Sequence, residues 1–390
     1  MMSDEQELVS DFLNGLARQQ VIAFIKAVAE EDEMIIALGQ VDLAPEQVAA
    51  FARARGYAFD ADDLVRVIES RIASLIPEAE REVRDQYLKR RADGACSAPV
   101  VMDAETDANL VEVAHERGFK LDRRSILRGD VVAVRQLPAL PGLLALMEES
   151  LTGAFDGTDL EQIHLHHDFP DMKARAAIAY DSLTQDKRII DAVQTIIVGL
   201  GLDPDSVLWE WPGMRLLFPA EHGGRGVYRT ANSGALAAHR DTWYGSPQHQ
   251  INLWGPIRQL DPDATLRIYT RYFRKTVANS SRGYDTWQNR CGLALPPSIQ
   301  TSVSAEGAFA PPLEIGDVMC FSGHQLHASA VNRSGRTRVS FEFRLLHKHD
   351  EGQDYAAPNT DYQGIGEIYG GWFDAQGRCL NRLTGEVSQV

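Results

Sequence analysis

The chain is poor in cysteine, lacks a long apolar run and carries no surplus of positive charge. Its four cysteines, Cys96, Cys291, Cys320 and Cys379, are spread over 390 residues. None forms a close pair, so neither a disulfide framework nor a thiolate metal site is suggested. No apolar stretch is long enough to suggest a membrane span. The opening MMSDEQELVS lacks the basic-then-apolar order of a secretory signal, and a reducing cytoplasm is the expected compartment. The formal net charge is −16. Nonspecific nucleic-acid binding needs concentrated positive charge, so no nucleic acid is expected as a partner. A GxxxxGK[ST] loop is missing, as is a convincing GxGxxG loop, despite 31 glycines.

What remains is an ordinary globular composition, 44% hydrophobic, in a chain long enough for more than one domain. In VIAFIKAVAEEDEMIIALGQ, Val21, Ile22, Ile25, Val28, Ile35, Ile36 and Leu38 recur at roughly helical spacing. In DLAPEQVAAFARARG, Asp42 is a candidate cap, Pro45 suits a first helical turn and Gly56 suits a stop. Asp60 is expected to cap a helix running toward position 90, which Pro77 bends or divides. FARARGYAFDADDL (51–64) aligns with VAHERGFKLDRRSI (113–126), retaining Arg-Gly-aromatic-x-apolar-Asp. Each copy reads as helix end, glycine turn, apolar plug and a new capped helix. The expected division is a helical domain over 1–95, a helical linker with a partial repeat over 96–130, a catalytic domain over 131–350 and a C-terminal extension over 351–390.

LARQQVIAFIKAVAEEDEM followed by RGYAFDADDL resembles the small helical Nif11-like domain. That resemblance implies a docking or recognition module for a peptide or carrier, with a helical support for the rest of the chain as the alternative.

Beyond Asp130 the pattern changes. VVAVRQLP reads as a strand, and VLWEWPGMRLLFPA opens a region of short apolar runs punctuated by glycine and proline, as in a compact β domain. In LEIGDVMCFSGHQLHASAVNRSGRTRVSFEFRLL (313–346), VMCF reads as a buried strand. From Thr337 onward the chain alternates: Arg338, Ser340, Glu342 and Arg344 share one face, and Val339, Phe341 and Phe343 share the other. Polar groups on a buried strand face need partners, and an internal ligand site supplies them. Arg338 offers a rigid fork of donors for a carboxylate, with the Ser340 hydroxyl beside it. Upstream, AAHRDTWYG places His239 and Asp241 two apart, able to reach one cation. His327 is the candidate third ligand, with His324 the alternative. The HLHH cluster, His164, His166 and His167, has no carboxylate pattern to complete it and is expected to pack.

His239-x-Asp241, distant His327 and Arg338-x-Ser340 together resemble the iron(II)/2-oxoglutarate-dependent dioxygenases, most closely their phytanoyl-CoA hydroxylase-like branch. The resemblance implies an α+β chain whose catalytic core is a double-stranded β-helix (jelly-roll or cupin-like) beside an all-helical N-terminal domain. It implies His239, Asp241 and His327 as iron ligands, and Arg338 with Ser340 as the clamp for the distal carboxylate of 2-oxoglutarate. Asn252 would touch the cosubstrate's chelating end, or else satisfy a backbone group. Dioxygen is the second cosubstrate, succinate and carbon dioxide are released, and hydroxylation of a C–H bond in a small molecule is the expected outcome. Desaturation, cyclisation and epimerisation remain open. Related halogenases carry a small residue where Asp241 stands, so halogenation is disfavoured.

Trp243 and Tyr244 are candidates for the substrate wall, with packing an equal alternative. Arg267 and Arg271 could receive an anionic group of the substrate, although a solvated basic edge or ion pairs are preferred. Two other functions stay in play: a cupin-like metal-dependent isomerase or binding protein that makes no use of 2-oxoglutarate, and a peptide-docking module acting through the helical domain.

Overall fold

A computed structural model describes residues 4–30, 34, 37–38, 44–92, 109–232, 237–291, 297–358 and 360–388. The chain opens with helices α1 (Asp4–Glu30), α2 (Pro45–Arg53), α3 (Ala61–Leu75) and α4 (Glu78–Ala92). Val21, Phe24 and Val28 of α1 meet Val48, Ala49 and Ala52 of α2, with Phe59 and Leu64 closing a small separate core. Ile22, expected on the buried face, is half exposed; Asp42, Ile35 and Ile36 lie outside the described residues. Pro45 stands in the first turn of α2, and Gly56 turns the chain at φ +89°. Asp60 then caps α3 in a reciprocal box: it accepts from the Asp63 N–H at 2.8 Å, and Asp63 accepts from the Asp60 N–H at 3.2 Å. Pro77 falls between α3 and α4 and divides them.

The second copy of that turn begins differently. Residues expected in a helical linker instead form strand β1 (Leu110–Ala114), paired in parallel with β2 (Val131–Arg135). Val111 and Val113 are β-branched, and five ladder pairs to β2 override a helical continuation. Past the strand the repeat holds: Gly118 has φ +85°, Leu121 is buried, and Asp122 caps the short helix α5 (Arg123–Leu127).

Helices α6 (Leu140–Ala154), α7 (Ile163–His166), α8 (Phe169–Gln185) and α9 (Arg188–Gly199) precede strands β3 (Val207–Glu210), β4 (Gly213–Leu217), β5 (Gly226–Tyr228), β6 (Ala231–Asn232), β7 (Gln250–Pro256), β8 (Leu266–Ile268), β9 (Val318–Ser322), β10 (His327–Ser329) and β11 (Arg338–His347). The larger sheet runs β9-β7-β11-β4 with antiparallel neighbours. The smaller sheet pairs β10 with β8, and residue 239 is bridged to β10 from the other side. The chain therefore alternates between sheets: β4 large, residue 239 small, β7 large, β8 small, β9 large, β10 small, β11 large. That alternation is a double-stranded β-helix.

Strand parity decides what each face sees. Val339, Phe341, Phe343 and Leu345 of β11, with Ile251 and Leu253 of β7, face a core completed by Leu143, Met147, Met172, Val193 and Ile196 of the covering helices. The opposite parity, Arg338, Ser340, Glu342 and Arg344, points into the barrel. The C-terminal stretch adds its own pairing, Trp372 and Phe373 against Glu210 and Trp209 of β3. Among the described residues no helix is long and apolar enough to cross a membrane.

Candidate active site

His239 and His327 are hydrogen-bonded to each other through the backbone, N–H to carbonyl in both directions at 2.9 Å. The bridge sets their rings 4.3 Å apart, centre to centre. In each ring, Nδ1 sits 2.9 Å from the carbonyl two residues earlier, Ala237 for His239 and Gln325 for His327. A carbonyl only accepts, so Nδ1 carries the proton and the Nε2 lone pair is left facing the barrel. Both Nε2 atoms stand 3.8 Å from Oδ1 of Asp241. One ligand atom from each of the three residues falls within 4.8 Å of the other two. All three side chains are buried.

The carboxylate is equally well held. Asp241 Oδ2 accepts from Asn252 Nδ2 at 2.8 Å, Gln250 Nε2 at 3.1 Å and Arg344 Nε at 3.4 Å. Burial pushes the Asp241 carboxyl up, but Arg344, the two histidines and the Asn252 amide outweigh it and hold it down at about 2. His239 is pushed down to about 4, by burial first and by its neighbour His327 second. At neutral pH His239 is thus a neutral imidazole and Asp241 a carboxylate; with His327 they make two imidazoles and one carboxylate, the donor set of a facial iron(II) site with open positions.

Deeper along β11, Arg338 is 4% exposed. Its Nη1 reaches Ala264 O at 3.3 Å and its Nη2 reaches Ser329 Oγ at 3.4 Å, while Nε has no partner. No carboxylate among the described residues pairs with it, and burial lowers its pKa to about 9, a direction that reports an uncompensated buried cation. The Ser340 hydroxyl and the indole N–H of Trp254 are likewise buried without partners. Unsatisfied donors around a buried guanidinium are costly unless a ligand satisfies them. Trp254, Asn252 and Ser329 line one cavity with His239, Asp241 and His327.

The other sequence candidates fall in different places. Asn252 lines the cavity, but its amide is engaged with Asp241 and Gln250 rather than with a backbone group. Tyr244 lays its ring edge-on to His239, centroids 5.8 Å apart. Trp243 is fully buried among Ala238, Val277 and Leu326 and donates from Nε1 to Asp361 at 2.8 Å, so it takes the packing role. Arg267 alternates with the inward Leu266 and therefore points out of the barrel, into a separate cavity of about 240 Å³. Arg271 lies beyond the strand, in a 3-10 turn, and pairs with Glu306 at 3.1 Å. His324 is buried between Thr242 and Thr360, 3.2 Å from each hydroxyl, and does not join the metal-ligand cluster. In the HLHH cluster, His164 packs against His222 and bonds Thr337 at 2.9 Å, while His167 pairs with Asp171 at 2.6 Å.

Sequence reasoning missed four groups. Arg215 of β4 ion-pairs with Glu342 at 3.2 Å because the β4–β11 register sets it opposite Ser340 on the inward face. Gln250 shares the inward parity of Asn252 and Trp254. Arg240, between the two ligands of the HxD segment, is fully buried, donating to Asp361 and to the carbonyls of His324, Tyr272 and Lys275 at 2.6–3.0 Å. Asp361 reaches in from the C-terminal stretch to hold both Arg240 and Trp243. The available signal was a polar residue inside an apolar run: GMRLL for Arg215 and QINLW for Gln250.

Residues 17–64 match the Nif11 domain. No curated protein matches the chain by sequence. In structure the chain is similar to the non-heme monooxygenase ThoJ at 16% identity and TM-score 0.34, over 63% of this chain and 89% of that one. It is similar to EvdO2 from Micromonospora carbonacea var. aurantiaca, complexed with 2-oxoglutarate, at 12% identity and TM-score 0.31, over 43% of this chain and 62% of that one. The epimerase SnoN, in complex with Fe3+, alpha ketoglutarate and nogalamycin RO, is similar at 12% identity and TM-score 0.32, over 57% of this chain and 82% of that one. At such identities and scores, the function proposed below is built on this chain's own side chains.

Proposed function

We propose that the chain is an iron(II)- and 2-oxoglutarate-dependent oxygenase that hydroxylates a C–H bond of a small molecule, with residues 131–350 as its catalytic unit. One observation carries this: two imidazole Nε2 atoms and a carboxylate oxygen converge within 4.8 Å, and a buried arginine with no carboxylate partner among the described residues stands behind them in the same barrel. The phytanoyl-CoA hydroxylase-like branch is supported by the HxD and RxS motifs alone.

The donor set fits the metal. His239, Asp241 and His327 would hold iron(II) through Nε2, Oδ1 and Nε2. The unpartnered Arg338 Nε and Ser340 hydroxyl fit one end of a dicarboxylate, which Arg338 can grip with two N–H donors. Iron and 2-oxoglutarate together would supply the oxidation of a C–H bond by dioxygen, with release of succinate and carbon dioxide. The chain's own contribution is placement. The Ala237 and Gln325 carbonyls fix the imidazole tautomers, and Arg240 with Asp361 locks the turn that carries two of the ligands. Leu266, Phe321 and Trp254 line the cavity with apolar surface and keep water from the reacting centre.

Anaerobic titration with iron(II), then with 2-oxoglutarate, tests the proposal. Keto-acid binding that requires the metal, and that weakens by at least tenfold in Arg338→Ala, is the expected result. Metal binding with no affinity for the keto acid would move the chain to the cupin-like isomerase or binding-protein alternative.

A further inference from the structure

The Asp241 carboxylate is held asymmetrically. Oδ2 accepts from Asn252, Gln250 and Arg344, whereas Oδ1 faces the two imidazole nitrogens at equal distance, 3.8 Å. We propose that Asn252, Gln250 and Arg344 are positioning residues that tie down Oδ2, so that Asp241 offers a metal one oxygen and never two. This rests on the metal site proposed above and deepens it.

A carboxylate accepts about four hydrogen bonds, two at each oxygen. With three donors on Oδ2, that oxygen has no lone pair left for an ion. The donors are themselves fixed. Gln250 Nε2 also donates to Asn252 Oδ1 at 2.7 Å, so the two amides lock one another's orientation. Asn252 lies opposite Arg344 in the β7–β11 register. Arg344 is anchored further by Glu210 at 2.7 Å, Tyr228 at 2.9 Å and Glu342 at 3.2 Å. Swinging Oδ2 inward would break its bonds to all three, and it would take from the buried Asn252 Nδ2 an acceptor held at 2.8 Å.

Coordination number is what the arrangement controls. Two imidazoles and one oxygen occupy three positions of an octahedral ion and leave three open. A bidentate carboxylate would close one. Losing a single open position would leave a metal held by these three residues with one site fewer for external ligands. Asn252 is thereby assigned to the carboxylate, not to the cosubstrate.

The test loads the full-length protein anaerobically with cobalt(II), whose visible absorption reports coordination number, and with manganese(II), whose effect on water-proton relaxation counts bound solvent. Asn252→Ala, Gln250→Leu and Asn252→Gln are compared with wild type, thermal melts confirming that each is folded. The expected result is that Asn252→Ala changes the cobalt spectrum and loses about one bound solvent, with metal affinity altered about 10–100-fold. Gln250→Leu should change both less, and Asn252→Gln, which keeps an amide donor, should restore the wild-type spectrum. A folded Asn252→Ala with wild-type cobalt spectrum and solvent count would overturn the proposal; if it is unfolded, an unchanged Gln250→Leu spectrum and solvent count would do so. These readouts need no keto acid. If wild type binds metal but not 2-oxoglutarate, the oxygenase proposal fails while the carboxylate geometry is still decided.

Discussion

His239 and His327 are each other's backbone partners, N–H to carbonyl at 2.9 Å in both directions, although they stand 88 positions apart in the chain. Their side chains are presented by a single local pairing between segments that cross the small sheet. Neither backbone segment can shift without breaking both bonds to the other. That is a rigid site rather than one assembled on demand.

The choice between His327 and His324 has a direct readout. His327→Ala removes an Nε2 donor from the cluster and should weaken metal binding at least tenfold with little loss of fold. His324→Ala empties a buried slot between Thr242, Thr360 and Phe273. It should lower the melting temperature, by about 2–4 °C for each kcal/mol lost, while a folded fraction retains its metal affinity. Calorimetric metal titration beside thermal denaturation separates the two. The reverse pattern would exchange the roles of these histidines.

Acid should act through His239 together with His249 and His324, whose pKa values burial also lowers. The folded-state pKa of His239 lies near 4, below the ordinary 6.5, because burial disfavours the imidazolium. Between those values the unfolded chain binds a proton that the folded chain does not. Stability therefore falls as pH drops from about 6.5 to about 4, by up to about 1.4 kcal/mol per pH unit. Asp241 follows the other rule. Its depressed pKa stabilises the fold above the usual carboxylate range, and that contribution is lost as pH falls toward 2. Urea midpoints of the metal-free protein at pH 7, 5.5 and 4.5 should decline in order, and the decline should be less steep in His239→Gln, where His249 and His324 remain. A flat wild-type profile would count against a buried neutral imidazole.

Much of the site was legible because parity is a local property. RVSFEFR alternates so regularly that the inward set Arg338, Ser340, Glu342 and Arg344 follows from the period of a strand alone. HxD was legible from its spacing, although Asp241 opens a 3-10 turn instead of continuing an extended segment. What could not be read was which inward group meets which. Asn252 bonds to Asp241 because of the β7–β11 register and a turn of the chain between them, neither written in the residues of QINLW. Arg215 meets Glu342 across 127 positions. Arg267 and Arg271 share parity in the sequence but not a face in the structure, because the strand ends at Ile268; Arg271 makes an ion pair with Glu306.

Trp243 offers a second discrimination. Its ring is fully buried and its indole N–H is bonded to Asp361, so Trp243→Phe should leave an Asp361 oxygen short of a donor and cost about 1–3 kcal/mol. A substrate-wall residue would behave differently, shifting substrate affinity at constant stability. Chemical denaturation and metal titration of this variant should show a lower unfolding midpoint and a metal affinity within about threefold of wild type. Unchanged stability would return Trp243 to the cavity.

The N-terminal helices are tied to the catalytic barrel by a buried charge pair, which sets the outcome of cutting that tie. Arg84 on α4 donates from Nε to Asp285 at 2.7 Å, with the two side chains 4% and 2% exposed, and forks onto Glu69 of α3 at 2.8 and 2.9 Å. Asp285 uses its other oxygen to cap the short helix α10 (Thr286–Arg290) through the N–H groups of Trp287 and Gln288. Thr286 of that helix packs against Gly245, which ends the turn carrying Asp241. Arg84→Met would leave Asp285 buried and unpaired, a loss of about 3–5 kcal/mol. Glu69→Gln, at a half-exposed carboxylate, should cost under about 1 kcal/mol. Pairing Arg84→Met with Asp285→Asn removes the stranded charge and should recover part of the loss. Equal unfolding midpoints for the single and double variants would mean that the charge pair does not bear the junction, and that Ile72 and Ile76 of the α3 end, packed on Trp287 and Ile365, hold it by apolar contact alone.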